Sequence, residues 1–222
     1  MKTKTTFKVF LWASIFGAFF GILSSQVMLN YYINDLEKSQ EDLIRDYYAV
    51  ETATLVSPHH VRKDIMKGDS YKYNLVDLRL ISEYEEEHII SAINIPVALS
   101  INEKLSLNYT NVTDEERIVS AFRALENNGK ETVVYCYSSS CMTGRNVGKL
   151  LSDNGIYVKE LGIGWNEWRY DWNGWNYPSE WADTEVLDYI SSGSEPGVFN
   201  VNVFNFGNKT TTACAIENEL SC

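Results

Sequence analysis

The chain has 222 residues, a net charge of −11 at pH 7 and 45% hydrophobic residues. This length is sufficient for one catalytic domain with additional segments, and the hydrophobic and charged fractions are those of a folded protein, which argues against overall disorder. The acidic balance argues against nucleic acid as a partner and against docking of the body on anionic lipid headgroups.

An uncharged and almost wholly apolar run extends over residues 9–29. As a helix that rises about 1.5 Å per residue, it is long enough to cross a bilayer core of roughly 30 Å. Lys2, Lys4 and Lys8 precede the run and acidic residues follow it. The positive-inside tendency therefore predicts a single-pass signal-anchor over residues 1–30, with a cytoplasmic N-terminus and an extracytoplasmic main domain. A cleaved signal peptide is the alternative.

A helical juxtamembrane stalk is predicted next, over residues 31–54. Its positions at spacings of three and four form an a/d pattern with one polar member. The members are Ile33, Leu36, Gln40, Leu43, Tyr47 and Val50. Because the pattern is short, it predicts either a helix that packs on its own domain or a weak dimer through residues 33–50.

From Ser57 onwards, helices and strands alternate. Strands are predicted at residues 74–79, 93–96, 132–136 and 158–161, and helices from Ser57-Pro58 and at 82–88, 113–128 and 143–154. Such alternation indicates an α/β fold in which helices cover both faces of a parallel sheet. Ligands of these sheets gather at the carboxyl ends of the strands.

Cys136 ends the strand predicted at 132–136. A polar loop and the start of a helix follow, formed by Tyr137, Ser138, Ser139, Ser140, Cys141, Met142 and Thr143. A thiol that faces the N-terminus of a helix lies among unsatisfied backbone N–H groups and near the positive end of the helix dipole. This environment is expected to lower the pKa of Cys136 and to favour its nucleophilic thiolate. The same N–H groups can hold an oxyanion or a sulfur anion.

Four cysteines are present, Cys136, Cys141, Cys214 and Cys222. An extracytoplasmic location would permit disulfides. The local pairings are Cys136 with Cys141 and Cys214 with Cys222, and the sequence alone establishes neither. The spacing does not match a zinc signature, so neither a metal nor a cofactor is expected.

Tryptophans dominate the region after residue 161. Trp165, Trp168, Trp172 and Trp175 recur at spacings of three and four, which is typical of a helix that packs in a core, although Asn173-Gly174 disfavours one continuous helix. The remaining residues, 176–222, form an extension rich in Asn, Ser and Thr. Within it, apolar residues alternate with Asn over residues 198–206, which predicts an added strand.

The order of these motifs resembles that of rhodanese-like domains. The resemblance rests on residues 75–79, 83–84, 88–96, 133–136 and 162–168 and covers about residues 55–170. It implies a small α/β domain with a central parallel sheet, which we assign to residues 55–175. It also implies transfer of a sulfane sulfur from a small donor, such as thiosulfate or a persulfide, to a thiol acceptor through a persulfide on the loop cysteine, Cys136.

The resemblance also implies roles for charged residues near the loop. Arg145 and Arg79 are candidates for binding an anionic substrate, although the position of Arg79 often organises the domain. Asp77 and His88 are expected to be structural. Backbone N–H groups between Tyr137 and Met142 would stabilise the persulfide anion.

Two departures from the family pattern leave alternatives open. Active members commonly carry a basic residue five positions after the nucleophile, where this chain has Cys141, so weak thiosulfate binding is expected. Related phosphatases need Arg at the next position, where this chain has Met142, which disfavours phosphatase activity. The alternatives are a catalytically inactive binding module and a thiol–disulfide module in which Cys141 is the resolving cysteine.

Overall fold

The computed structural model describes residues 3–36, 38–102, 114–176 and 185–200. The chain divides into two compact units, Met1–Val50 and Glu51–Cys222. The predicted pairing of Cys214 with Cys222 and most of the strand predicted at 198–206 lie outside the described residues.

The N-terminal unit contains helix α1 (Thr3–Leu36) and most of helix α2 (Gln40–Thr54). Ser39 separates the two helices because its hydroxyl oxygen accepts a hydrogen bond from the N–H of Asp42, 3.1 Å away, and thereby caps a new helix. The predicted a/d pattern is thus divided between two helices. Its members Leu43 and Tyr47 are exposed, and dimerisation stays a prediction.

In the part of the chain that the structure covers, no helix combines the length and the apolar character that crossing a membrane requires. The membrane anchor predicted over residues 9–29 is therefore not supported by the structure and stays a prediction.

A five-stranded parallel sheet forms the centre of the second unit. Its strands are β1 (Leu55–Val56), β2 (Tyr73–Asp77), β4 (Ile93–Asn94), β5 (Glu131–Tyr135) and β6 (Lys159–Leu161), in the order β1-β6-β5-β2-β4. In the register of β2 and β5, Asp77 lies opposite Tyr135. The carboxyl ends of the two central strands therefore meet, which places Cys136 beside the end of β2.

Helices cover both faces of this sheet, as the sequence predicted. They are α3 (Pro58–Lys67), α4 (Ile81–Glu86), α5 (Glu115–Glu126), α6 (Met142–Asp153), α7 (Trp165–Tyr170) and α8 (Trp172–Trp175). Side chains alternate between the faces of β5, so Val133 and Tyr135 enter one core cluster while Val134 and Cys136 enter the other. Cys136 therefore faces α5 and α6.

The tryptophan-rich segment packs in the core, as predicted, but it forms two short helices. Trp168 is fully buried and lies 5.6 Å from the ring of Trp172. The chain turns at Asp171, whose carbonyl accepts a hydrogen bond from the N–H of Gly174, 2.9 Å away. A side chain at Gly174 would overlap the Asp171 carboxylate in its present position, so the Asp171 side chain would have to move.

A small second sheet was not predicted. Strand β3 (His88–Ile89) pairs in antiparallel fashion with β7 (Ile190–Ser191), which attaches residues 185–200 to the domain. The His88 ring supports this attachment, since its Nδ1 lies 2.7 Å from the Tyr84 carbonyl oxygen and its Nε2 lies 3.1 Å from that of Glu195. These contacts agree with the structural role expected of His88.

A buried ion pair joins the carboxyl end of β2 to its surroundings. Both Asp77 and Arg79 are almost completely buried, and the Arg79 Nε and Nη2 atoms donate to the Asp77 carboxylate at 2.7–3.1 Å. The Tyr135 hydroxyl donates to the same carboxylate at 2.7 Å. Arg79 also donates to the carbonyl of Glu87 at 2.7 Å and stacks over Trp165 at 4.2 Å.

We predict that Asp77→Ala destabilises the protein strongly, because it leaves the Arg79 guanidinium buried without its carboxylate. The expected loss in the free energy of unfolding is about 3–5 kcal/mol, measured by urea denaturation. Asp153→Ala is the matched control because Asp153 forms an ion pair with Lys149 in which both side chains are mostly exposed. The control should change stability little. Equal losses for the two variants would contradict the role of the buried pair.

Candidate active site

Two cysteines delimit the loop between β5 and α6. Cys136 directly follows β5 and is 5% exposed, while Cys141 is the N-cap residue of α6 and is half-buried. Both are free thiols, and their Sγ atoms lie 3.0 Å apart in a hydrogen bond. The structure therefore brings together the predicted nucleophile and the predicted resolving cysteine.

The first residues of α7 donate hydrogen bonds to carbonyl groups of the loop. The N–H of Trp165 donates to the Cys136 carbonyl, and the N–H of Asn166 donates to the Tyr137 carbonyl, both at 2.8 Å. Two N–H groups at the start of a helix have no partner within that helix. The loop carbonyls satisfy them, and the loop backbone is fixed in return.

Gly164 makes this docking possible. A Cβ atom at this position would overlap the backbone of Ser138, so only glycine allows the loop to approach α7 this closely. Inside the loop, the N–H of Cys141 donates to the Ser138 carbonyl at 2.9 Å. The loop is thus closed on itself as well as docked on α7.

The two thiols have opposite pKa shifts. The hydrogen bond between the two sulfurs is the largest cause that lowers the pKa of Cys141, to about 5. The hydroxyl and N–H of Thr143 and the N–H of Tyr137 also favour its thiolate, against the effect of burial. The pKa of Cys136 is raised by its hydrogen bond with Cys141, by burial and by the negative charge of Cys141. These opposite directions favour a pair in which Cys141 carries the negative charge and Cys136 keeps the proton.

This result corrects the expectation that the loop lowers the pKa of Cys136. Cys141 lies at the N-terminus of α6, where the backbone of Thr143 favours its anion, whereas Cys136 is buried at the strand end. When two thiols share one hydrogen bond, the better solvated one takes the charge and the other keeps the proton. The prediction that the loop favours the thiolate of Cys136 is therefore wrong, because it favours the thiolate of Cys141 instead.

Arg145 lies beside the loop, as predicted. Its Nη2 is 3.4 Å from the Ser139 carbonyl oxygen, and its Nε is 3.8 Å from a carboxylate oxygen of Glu160. Burial raises the pKa of Glu160, Arg145 opposes that rise, and the charge of Cys141 adds to it. A side chain at Gly144 would collide with this carboxylate, so Gly144 makes room for Glu160 next to α6.

Two further carboxylates contact the loop, and the sequence analysis missed both. Glu167 accepts hydrogen bonds from the N–H and hydroxyl of Ser139 at 3.2 and 3.1 Å and from the N–H of Gly164 at 2.9 Å. Glu83 accepts a hydrogen bond from the Tyr137 hydroxyl. The spacing Gly164-x-x-Glu167 predicts a helix-capping contact, but no local signal reveals contacts to a loop about 28 residues earlier.

Three of the predicted site residues contact the loop only indirectly or lie in another part of the domain. They are Arg79, Asp77 and His88. Arg79 supports Trp165, which in turn binds the Cys136 carbonyl. His88 belongs to the small β3–β7 sheet. Arg79 is therefore a support of the loop, and its guanidinium is already bound by Asp77 and by the carbonyl of Glu87.

A cavity of about 510 Å³ lies along α6, from Gly144 and Arg145 to Ser152, and reaches Glu131 at the start of β5. Its lining includes Glu160 but no residue of the loop 136–141. Within the residues that the structure describes, no group of three or more His, Cys, Asp or Glu side chains is placed to hold a metal ion.

The fold and the site define an α/β domain with a thiol pair at the carboxyl end of its central strand. A family model described as "Rhodanese-like domain" matches residues 57–171. The chain therefore belongs to the rhodanese-like domain family. Among curated proteins, no match is found.

Solved structures also resemble this chain. BH2092 from Bacillus halodurans is 24% identical, covers 60% of this chain and 82% of its own, and has a TM-score of 0.43. A rhodanese with anions from E. coli is 25% identical, with coverages of 41% and 86% and a TM-score of 0.27. The As-Sb reductase from Leishmania major is 20% identical, with coverages of 63% and 85% and a TM-score of 0.41. The family assignment rests on the family model and not on these likenesses.

We predict that one thiol of the pair reacts with iodoacetamide even in mildly acidic solution. Only the thiolate reacts, so the rate should rise as the pH increases through about 5 and stay level from pH 6 to 8. The tryptic peptide 131–145 contains both cysteines of the pair and separates them from Cys214 and Cys222. Mass spectrometry of this peptide at each pH gives the rate.

Thr143→Val tests the cause of this reactivity. It removes the hydroxyl that favours the Cys141 thiolate, so the inflection should move to higher pH. Ser152→Ala, at the other end of α6, is the control and should leave the inflection in place. If the alkylation rate of the unmodified protein had its inflection at about pH 8.5, the thiol would be an ordinary one. That result would contradict a proton shared between Cys136 and Cys141.

Proposed function

We propose that this protein is a sulfurtransferase that carries a sulfane sulfur as a persulfide on Cys136. The observation that carries the proposal is the hydrogen bond of 3.0 Å between the Cys136 and Cys141 sulfurs at the carboxyl end of β5. It is supported by membership of the rhodanese-like family, in which the cysteine at this position receives the sulfur. The donor and acceptor are expected to be a small sulfane-sulfur compound and a thiol.

In the first step, Cys141 acts as the base and Cys136 as the nucleophile. The Cys136 proton moves along the hydrogen bond to the Cys141 thiolate while the Cys136 sulfur attacks the outer sulfur of the donor. A new S–S bond forms on Cys136, the S–S bond of the donor breaks, and the donor leaves with that electron pair. The products are a Cys136 persulfide anion and a Cys141 thiol, so charge and protons balance.

In the second step, an acceptor thiolate attacks the outer sulfur of the Cys136 persulfide. The S–S bond on Cys136 breaks, and the Cys136 sulfur takes its proton back from Cys141. The N–H of Tyr137 favours the anion of either sulfur in the resting pair. In the persulfide state, it is placed to stabilise the negative charge on the transferred sulfur.

A thiol–disulfide module is the second candidate, and the same 3.0 Å separation favours it. Here Cys141 attacks the inner sulfur of the Cys136 persulfide, which forms a Cys136–Cys141 disulfide and expels the outer sulfur as hydrosulfide. Two external thiols would then be needed to reduce the disulfide. This path competes with transfer to an acceptor after a shared first step.

We predict that incubation with a low-molecular-weight persulfide adds one sulfur atom to peptide 131–145, and that cyanide removes it. Cys136→Ser should abolish the gain. Cys141→Ser should keep a gain but slow it, by about tenfold or more, because the base is lost. Intact-protein and peptide mass spectrometry measure both effects, and Ser140→Ala is a control within the loop.

The other outcomes separate the candidates. A loss of two hydrogens at the pair, together with released hydrosulfide, would favour the thiol–disulfide module. Absence of both the sulfur gain and the disulfide would reject both candidates and leave a non-catalytic binding module.

We also propose that residues 9–29 anchor the protein in a membrane with its main domain outside the cytoplasm. The support is the uncharged apolar sequence, the preceding lysines and the following acids.

We predict that the full-length protein stays with membranes washed in alkaline carbonate. Phe16→Asp combined with Phe20→Asp should release it, because charges at the centre of a bilayer are costly. The control is Tyr47→Asp combined with Tyr48→Asp, in which exposed aromatic residues of α2 are changed instead. Recovery of the unmodified protein in the wash would reject the anchor.

A further inference from the structure

Two hydrogen-bond donors of the cysteine loop that an anionic sulfur donor could use, the N–H and the hydroxyl of Ser139, are already bound by a carboxylate of the protein itself. Ser139 lies in the middle of the loop and is exposed, so its N–H and hydroxyl are donors that an incoming anion would meet. Both donate instead to the Glu167 carboxylate, at 3.2 and 3.1 Å. Glu167 is held in this position by the N–H of Gly164, at 2.9 Å.

The guanidinium of Arg145 is engaged in the same way. It contacts the Ser139 carbonyl oxygen at 3.4 Å and a Glu160 carboxylate oxygen at 3.8 Å. Its positive charge is therefore directed to the loop backbone and to Glu160. Arg79, the other arginine near the loop, is buried with Asp77.

The charge around the thiols is consequently negative. Glu167 binds the loop backbone, Glu160 lies close enough to Cys141 for their charges to interact, and Glu83 accepts from the Tyr137 hydroxyl. The positive charge of Arg145 offsets the negative charge of one of these three carboxylates. A donor that carries two negative charges must approach the Cys136–Cys141 pair against this field, whereas a cationic donor is attracted by it.

We propose that the sulfur donor is uncharged or cationic, such as a persulfide on a small thiol that bears an amine, and that Glu167 is a specificity-determining residue. This inference rests on the proposed sulfurtransferase function, because it names the class of donor for the same thiol pair. Glu167 acts by occupying the loop N–H that an anionic donor would use and by adding negative charge beside it.

The test uses thiol reagents that differ only in charge, so that it does not depend on sulfur transfer. Three methanethiosulfonates carry an ammonium group, no charge or a sulfonate group, and each forms a mixed disulfide with a thiolate. Their rates with the full-length protein, measured as loss of reduced peptide 131–145, are divided by their rates with 2-mercaptoethanol. We expect the normalised ammonium rate to exceed the sulfonate rate by about tenfold.

Variants assign this preference to its residue. Glu167→Gln keeps the size of the side chain and removes its charge, so the ratio should fall several-fold, mainly through faster reaction with the sulfonate reagent. Glu126→Gln is the matched control, since Glu126 ends α5 at the opposite end of β5 from the thiols. Its ratio should equal that of the unmodified protein. The preference should also shrink at high salt.

A ratio near or below one, or a ratio that Glu167→Gln leaves unchanged, would overturn the proposal. Sulfur loading from matched persulfides of cysteamine, 2-mercaptoethanol and 3-mercaptopropionate extends the test to the donors themselves, and the rate should fall in that order. A charge preference for the reagents without sulfur gain from any donor would reject the sulfurtransferase function and retain the selectivity of the thiol pair. Sulfur gain that is fastest with the anionic persulfide would reject the proposed charge selectivity and retain the sulfurtransferase function.

Discussion

The buried ion pair of Asp77 and Arg79 is the interaction on which the active site depends. It lies where β2 ends, next to Tyr135 at the end of β5, and the Arg79 guanidinium stacks on the ring of Trp165. Because the N–H of Trp165 donates a hydrogen bond to the Cys136 carbonyl, the ion pair supports the cysteine loop through Trp165. A buried charge pair contributes less to net stability than its short contacts suggest. Its role is better described as fixing the relative positions of the ends of β2 and β5 and the start of α7.

The cysteine loop stabilises a sulfur anion mainly with uncharged hydrogen-bond donors. The main groups that favour the negative charge on Cys141 are a thiol, a hydroxyl and backbone N–H groups, all of them uncharged hydrogen-bond donors. Such donors stabilise a sulfur anion without drawing other anions to the site. This arrangement is compatible with the carboxylates of Glu160 and Glu167 nearby, whereas a site that uses basic side chains would be neutralised by them.

Much of this architecture could be predicted from the sequence. The apolar run at residues 132–136 and the helix after it placed Cys136 at a strand end because periodicity and length are local properties. The β3–β7 sheet could not be predicted in this way, since Ile190–Ser191 is a two-residue strand that forms only against His88–Ile89. The same holds for Glu167, whose contact with Ser139 joins residues far apart in the chain. The location of the thiolate was mispredicted because it depends on the distance between two sulfurs, which spacing alone does not give.

In the proposed sulfur transfer, a proton shared between the two thiols would also set the order of the chemical steps. Before a donor arrives, the opposite pKa shifts favour the charge on Cys141, while Cys136 is buried and its thiol form is favoured. When Cys136 attacks, Cys141 becomes a neutral thiol and is a poor nucleophile toward the new persulfide. Disulfide formation then requires Cys141 to lose its proton again, while an acceptor thiolate can attack at once. In the proposed mechanism the pair would therefore favour transfer when acceptor thiols are abundant and disulfide formation when they are scarce, so that the outcome would depend on the supply of thiols around the protein.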